Sequence, residues 1–188
     1  MNEKIYVFKS QERKSTKDLS KQIPKIKHVC YATAYNVKNF CNFMKSIKSD
    51  DNKFKALANN LADKIFLLKK EIDLLISVPK YKDELSETDF SLKLAEIISE
   101  KAKIPYRKDI IIKTKKTRKL KTIPTEQREK EIENAFEIKN FIDLKNKKIC
   151  IVDDVLSSGN TVNEMIKTLA GHTDEQNIYV AVLVVQCS

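Results

Sequence analysis

The stretch Lys147 to Leu169, KKICIVDDVLSSGNTVNEMIKTL, constrains the fold more than any other part of the chain. Ile149, Cys150, Ile151 and Val152 form a short apolar run rich in β-branched residues, the pattern of a parallel strand buried on both faces. Two carboxylates, Asp153 and Asp154, stand at its carboxyl end. After a turn, Val162, Met165, Ile166 and Leu169 fall on one helical face, and Gly171 stands where a helix commonly stops. We therefore expect an α/β domain with a central, mainly parallel sheet flanked by helices.

The loop Leu156 to Thr161 lies between a strand end and a helix start, where free backbone N–H groups and the positive end of the helix dipole meet. That is a natural seat for phosphate. Ser157, Ser158 and Thr161 add hydroxyl donors, and Gly159 lets the backbone approach an anion without an intervening Cβ. Asp153 and Asp154 would repel a phosphate, so they should face neutral hydroxyls or a divalent cation beside it. A ligand with a phosphate at one end and a diol next to it satisfies both halves, and ribose 5-phosphate is such a ligand.

The string IVDDVLSSGNT resembles the signature of the type I phosphoribosyltransferases: an apolar strand, two acidic residues, an apolar residue, then a small hydroxyl-rich loop. The resemblance implies that Asp153 and Asp154 are catalytic residues holding the ribose hydroxyls of phosphoribosyl pyrophosphate. It implies that Ser157, Ser158, Gly159, Asn160 and Thr161 wrap the 5′-phosphate. Two other readings compete. An acidic turn after a strand is common by itself. A receiver domain of the flavodoxin-like type also carries an acidic pair, but needs several strands after it, where Val155 to Ser188 supply one helix and one strand.

Composition bounds the rest. With 188 residues, 41% of them hydrophobic and 33% charged, the chain fits one domain with a sizeable core, burying roughly 70% of its unfolded surface. We expect residues 1–188 to form that single domain, with 1–30 as a cap or arm and 31–188 as the core. The longest apolar run, Ile178 to Val185, is too short to span a bilayer, and MNEKIYVFKSQERK scatters charge through any would-be signal sequence. These features point to a cytoplasmic protein with no membrane partner. Cys30, Cys41, Cys150 and Cys187 are widely spaced and form no C-x-x-C pair, so buried reduced thiols are expected. With only His28 and His172, a zinc site is not expected. The net charge of +10 raises the question of nucleic acid. It is carried mostly by lysine, with arginine only at 13, 107, 118 and 128, and a general Lys, Asn and Ile bias is the mark of an AT-rich genome rather than of a binding surface.

In chain order, Lys4 to Lys9 alternates like a half-exposed strand, Ser10 to Lys25 reads as a loop or arm, and Ile26 to Tyr31 as a second strand. Val37, Phe40, Cys41, Met44 and Ile47 share a helical face, as do Phe54, Leu57, Ala58, Leu61, Ile65 and Leu68. Asp73 to Pro79 is a buried strand ended by proline. By the resemblance, Lys80, Tyr81 and Lys82 after it are pyrophosphate-loop candidates, with a solvated loop as the alternative. Ser86 and Asp89 are placed to cap a helix bearing Phe90, Leu94, Ile97 and Ile98. Asp109 to Lys113 is expected to join the sheet. The basic stretch Thr114 to Arg128 then lies between two sheet strands, where such enzymes keep a loop that closes over the ribose, with Arg118 the candidate contact. Thr125 is expected to cap a short helix reaching Phe136.

From Tyr31 onward the order of parts is similar to the competence protein ComF branch of that family. YATAY, DLLISVP, KKTRKLK, an Arg-containing helix ending in NAF, and VDDVLSSGNT carry the resemblance. ETDFS around Glu87 to Ser91 replaces an RGFNQ-like element, and Glu131 stands where the branch often has Asn. Two functions follow as expectations. One is transfer of a phosphoribosyl group to a nitrogen acceptor, with Mg bound through the pyrophosphate rather than directly by protein ligands. The other is a non-catalytic phosphoribosyl pyrophosphate sensor or accessory protein, with DNA or the competence machinery as partner. Relatives are often dimers; a homodimer and a monomer both stay open.

Overall fold

The computed structural model describes residues 28–36, 39–82, 88–118, 122–139 and 143–187. Its strands are β1 His28–Asn36, β2 Leu74–Ser77, β3 Ile111–Lys113, β4 Phe136–Ile138, β5 Ile149–Leu156 and β6 Ile178–Cys187. Its α-helices are α1 Phe40–Ser49, α2 Asp51–Leu67, α3 Phe90–Ala102, α4 Thr125–Ile132 and α5 Asn160–Ala170. Four strands form the main sheet in the order β1-β6-β5-β2, every neighbouring pair parallel. β5 is interior: Ile149 is flanked by Leu74 on one side and Ile178 on the other. That placement is why its first four residues are apolar without alternation and wholly buried.

Helices cover both faces. Cys30, Ala32, Leu75, Cys150, Val152, Ala181 and Leu183 pack with α1, α2 and α3 through Phe40, Ile47, Phe54, Leu61, Ile65, Leu94 and Ile98. On the opposite face Val29, Ile76, Ile149, Ile151 and Val180 pack with Val162, Met165, Ile166 and Leu169 of α5. Ile111, Ile132 and Phe136 extend that second core into a small unit made of β3, β4 and α4. Glu164 secures the join: from α5 its buried Oε1 accepts the Asn134 N–H at 2.7 Å, and its Oε2 lies 3.2 Å from Lys167 Nζ. An acceptor for a backbone donor and a cation together offset the cost of burying that carboxylate.

Strict alternation fails at one level of the sheet. In β5, Cys150 and Val152 face α1 to α3 while Ile149 and Ile151 face α5, yet Val155 packs with the former set and Leu156 with the latter. The phase has slipped by one residue across Asp153–Asp154. β6 slips at the same level: Ala181, Leu183 and Val184 face α1 to α3, and Val182 and Val185 face α5. Because both strands shift together, Val155 still pairs with Val184 and the register survives.

Several sequence expectations are corrected. Asp109 to Lys113 does not enter the main sheet. Ile111–Lys113 pairs antiparallel with Phe136–Ile138 in a separate two-stranded ribbon, so the basic stretch connects ribbon strands. A run of isoleucines specifies extended, buried backbone but not a partner. α4 ends at Ile132, and Phe136 belongs to β4, with a turn at Asn134 (φ 54°) between them. Pro124, not Thr125, occupies the N-cap of α4. β5 continues through both acidic residues to Leu156. Cys41 is exposed, whereas Cys30 and Cys150 are buried free thiols; burial pushes the Cys30 thiol up to about 12. Asp89 caps α3, its Oδ1 accepting the Leu92 N–H at 3.0 Å. The expected elements at Lys4 to Lys25, the cap, Val37 and Ser86 lie outside the described residues. His28–Cys30, counted with the arm above, form the start of β1.

Candidate functional site

The carboxyl ends of the parallel strands assemble the site. Val78 N–H donates to Val152 O at 3.0 Å, so the chain leaving β2 runs beside β5 until Pro79, which has no N–H, ends the pairing. Lys80, Tyr81 and Lys82 therefore follow directly after the last pairing of this segment with β5, at Val152, the residue before the acidic pair. Lys80 Nζ donates to Thr88 O at 2.9 Å across the loop. Tyr81 makes a parallel bridge to Lys113, tying this loop to the end of β3. Lys82 is exposed.

Asp153 is 9% exposed. Its Oδ1 accepts two hydrogen bonds, from Ser91 Oγ at 2.9 Å and from the Asp154 N–H at 2.8 Å. Burial, and after it the neighbouring Asp154 charge, raises the Asp153 carboxyl well above the ordinary range, against the opposing pull of those two donors. Asp154 is partly exposed and forms an ion pair with Lys48 of α1. The Lys48 ammonium also lies over the Phe90 ring, 4.7 Å from its centroid. Phe90 in turn stacks at 5.3 Å and 56° on the buried Phe54 of α2. The two carboxylates thus meet the helical layer through α3 and α1, although they are consecutive in a strand.

The phosphate-loop candidates follow at once. Ser157, Ser158, Asn160 and Thr161 are half-buried and Gly159 is buried. Gly159 is the N-cap of α5 with φ 76° and ψ −2°, left-handed backbone that a Cβ would strain. The first helical bond runs from Asn163 N–H to Gly159 O at 2.8 Å. No acidic residue occupies the first turn of α5, which leaves the positive end of its dipole uncompensated. Among the described residues, the buried Asn163 Oδ1 has no hydrogen-bond partner.

Arg118 is directed elsewhere. Its backbone N–H donates to Glu131 Oε1 at 2.8 Å, while its Nε and Nη2 donate to Oε2 at 3.1 and 2.9 Å. Hydrogen bonds from Arg118 hold the Glu131 carboxyl below its ordinary range. The structure therefore places Arg118 against α4, not against the acidic pair.

Lys48, Phe90 and Ser91 are the residues that sequence reasoning missed as site components. Ser91 left a trace, as a polar residue on the buried stripe with Leu94, Ala95, Ile98 and Ala102. Lys48 left none: a lysine in the last turn of an amphipathic helix reads as a solvated C-terminal charge.

Among the described residues no three His, Cys, Asp or Glu side chains converge to hold a metal ion. A divalent cation that takes one or two carboxylates and fills its shell with phosphate oxygens and water still fits such a site.

An acidic pair at a parallel-strand end is followed here, within one short loop, by a helix that opens on a left-handed glycine. Residues 45–186 match the model of the phosphoribosyl transferase domain, and the chain belongs to that family. A purine phosphoribosyltransferase from Pyrococcus horikoshii Ot3 is similar to it, with 23% identity over 70% of this chain and 72% of that one and a TM-score of 0.43. Adenine phosphoribosyltransferase from Leishmania tarentolae is similar at 13% identity, over 75% and 74% of the two chains, with a TM-score of 0.46. No curated protein matches the chain. None of the described helices is long and apolar enough to cross a membrane.

Proposed function

We propose that this domain binds phosphoribosyl pyrophosphate and transfers its phosphoribosyl group to a nitrogen acceptor. The observation that carries the reading is the continuity of the two half-sites: the buried and half-buried carboxylates of Asp153 and Asp154 run within five residues into the left-handed Gly159 that opens α5. The 5′-phosphate takes the N–H groups and hydroxyls of Ser157 to Thr161. The ribose hydroxyls take the two carboxyls. In the transfer, the acceptor nitrogen lone pair forms the new bond to the ribose C1 while the C1–O bond breaks and its electron pair leaves with pyrophosphate. Positive charge developing on the sugar is stabilised by the carboxylates beneath it. Lys80, Tyr81 and Lys82 flank the departing pyrophosphate at the end of β2. Magnesium arriving with the pyrophosphate would supply charge neutralisation of the leaving group, and Asp153 and Asp154 are the carboxylates that would stand beside it.

Calorimetric titration of magnesium phosphoribosyl pyrophosphate tests this, with the Asp153→Asn, Asp154→Asn double variant as control. Saturable binding that the folded double variant loses is the expected result. No binding to the wild type refutes the reading.

A second reading is favoured by the Arg118–Glu131 pairing, which occupies the guanidinium that a closing loop would need. It takes the domain as a non-catalytic phosphoribosyl pyrophosphate sensor of the ComF-like kind, acting in DNA uptake. Ligand binding without pyrophosphate release from any acceptor, together with salt-sensitive DNA binding that persists in the double variant, would support it.

A further inference from the structure

Lys48 lies outside the strand–loop–helix that carries the proposed site, yet it contacts one of the two carboxylates directly. Its ammonium reaches Asp154 from the last turn of α1, and the side chain is 36% exposed where Asp154 is 16% exposed. The lysine is held from two directions. Phe90 presents its ring face to the cation, and Phe90 is itself fixed against Phe54, which is 1% exposed. The next residue of α3, Ser91, binds the other carboxyl. One turn of one helix therefore holds Asp153 directly and Asp154 through Lys48. A carboxylate accepts at about four positions, so a single ammonium leaves Asp154 able to receive ribose hydroxyls while fixing the plane in which it does so. Without the lysine, adjacent Asp153 and Asp154 would repel each other and the anionic ligand alike.

We infer that Lys48, seated on Phe90, is a positioning residue that orients Asp154 for the ribose diol. This rests on the function proposed above. The competing roles make different predictions. A lysine that touched the pyrophosphate directly would matter only to ligands carrying one. A lysine that merely blocked the site would, when removed, tighten binding.

The experiment is a thermodynamic cycle. Wild type, Lys48→Met, Lys48→Arg, Asp154→Asn and the Lys48→Met, Asp154→Asn double variant are titrated with ribose 5-phosphate and with magnesium phosphoribosyl pyrophosphate, and their folding is checked by circular dichroism. Lys48→Met is expected to weaken both ligands by the same factor, roughly tenfold, with Lys48→Arg recovering most of the loss. In the Asp154→Asn background the same change should have no further effect. Phe90→Leu, which removes the seat and keeps the lysine, should show a smaller loss in the same direction, and it stands in if Lys48→Met does not fold. Loss confined to the pyrophosphate-bearing ligand, tighter binding, or losses that add in the double variant would each overturn the inference. Wild type that binds neither ligand would remove the proposed function and the inference with it. Binding lost in Asp154→Asn but unchanged in Lys48→Met would remove the inference alone.

Discussion

Asp153→Asn should make the protein more stable at neutral pH while abolishing ligand binding. The asparagine retains a carbonyl oxygen where Asp153 Oδ1 now accepts from Ser91 Oγ at 2.9 Å and from the Asp154 N–H at 2.8 Å. What it removes is a charge that burial disfavours. In the unfolded chain an aspartate titrates near ~3.9. In the folded protein burial, followed by the Asp154 charge, raises Asp153 well above that. Between the two values the native state binds more protons than the unfolded state, so stability falls as pH rises through that window and is fully present only below the unfolded value. One group contributes a slope of at most ~1.4 kcal/mol per pH unit. For a chain of 188 residues that corresponds to about 3–6 °C in Tm per unit. The Tm advantage of the variant should therefore be small near pH 4, grow as pH rises, and level off once Asp153 has ionised in the folded wild type. Scanning calorimetry of both proteins in half-unit steps from about pH 4 to pH 8 reads this directly. A difference that stays flat with pH, or that favours the wild type at neutral pH, would refute the reasoning.

Two further outcomes are expected. Gly159→Ala places a Cβ on left-handed backbone (φ 76°) and should cost about 1–2 kcal/mol of stability, seen as a lowered denaturation midpoint, while weakening ribose 5-phosphate in titration. Glu131→Gln keeps an acceptor for the Arg118 N–H but removes the charge that holds the guanidinium. It should tighten magnesium phosphoribosyl pyrophosphate by about two- to fivefold and leave ribose 5-phosphate unchanged, and equal effects on both ligands would argue against a reserve role for Arg118.

The parts of this fold that were legible in the sequence are those whose physics is local. Ile149 to Val152 could be read as a strand buried on both faces because an interior parallel strand has no solvent side on which to place polar residues. Gly171 could be read as the end of α5 because glycine commonly follows a helix's last turn, whereas Gly159, read only as room for an anion to approach, is the left-handed N-cap. Ile110 to Ile112 shows where that logic ends: the run announces an extended, buried segment, but its partner, Phe136–Ile138, is chosen by the turn chemistry around α4 and by Glu164 reaching Asn134 from α5. The same holds in the site. Ser91 meets Asp153 across 62 residues of chain, and no pattern within either segment announces the bond. Arg118 was legible as a cation in a basic loop, but its engagement with Glu131 depends on how α4 packs.

The slip in alternation falls at the same level of the sheet as those long-range partners. In a strictly alternating strand, consecutive side chains point to opposite faces of the sheet. Here Val155 and Leu156 have changed faces relative to the count from Ile149, and Asp153 and Asp154 both find their partners, Ser91 and Lys48, in the α1 and α3 layer. The slip is shared by Leu183–Val184 of β6, so it persists without breaking a ladder that three other strands depend on. The acidic pair thus sits where the sheet is irregular, and a β6 whose Leu183 and Val184 no longer tolerated that irregularity should disturb Asp153 and Asp154 without touching either.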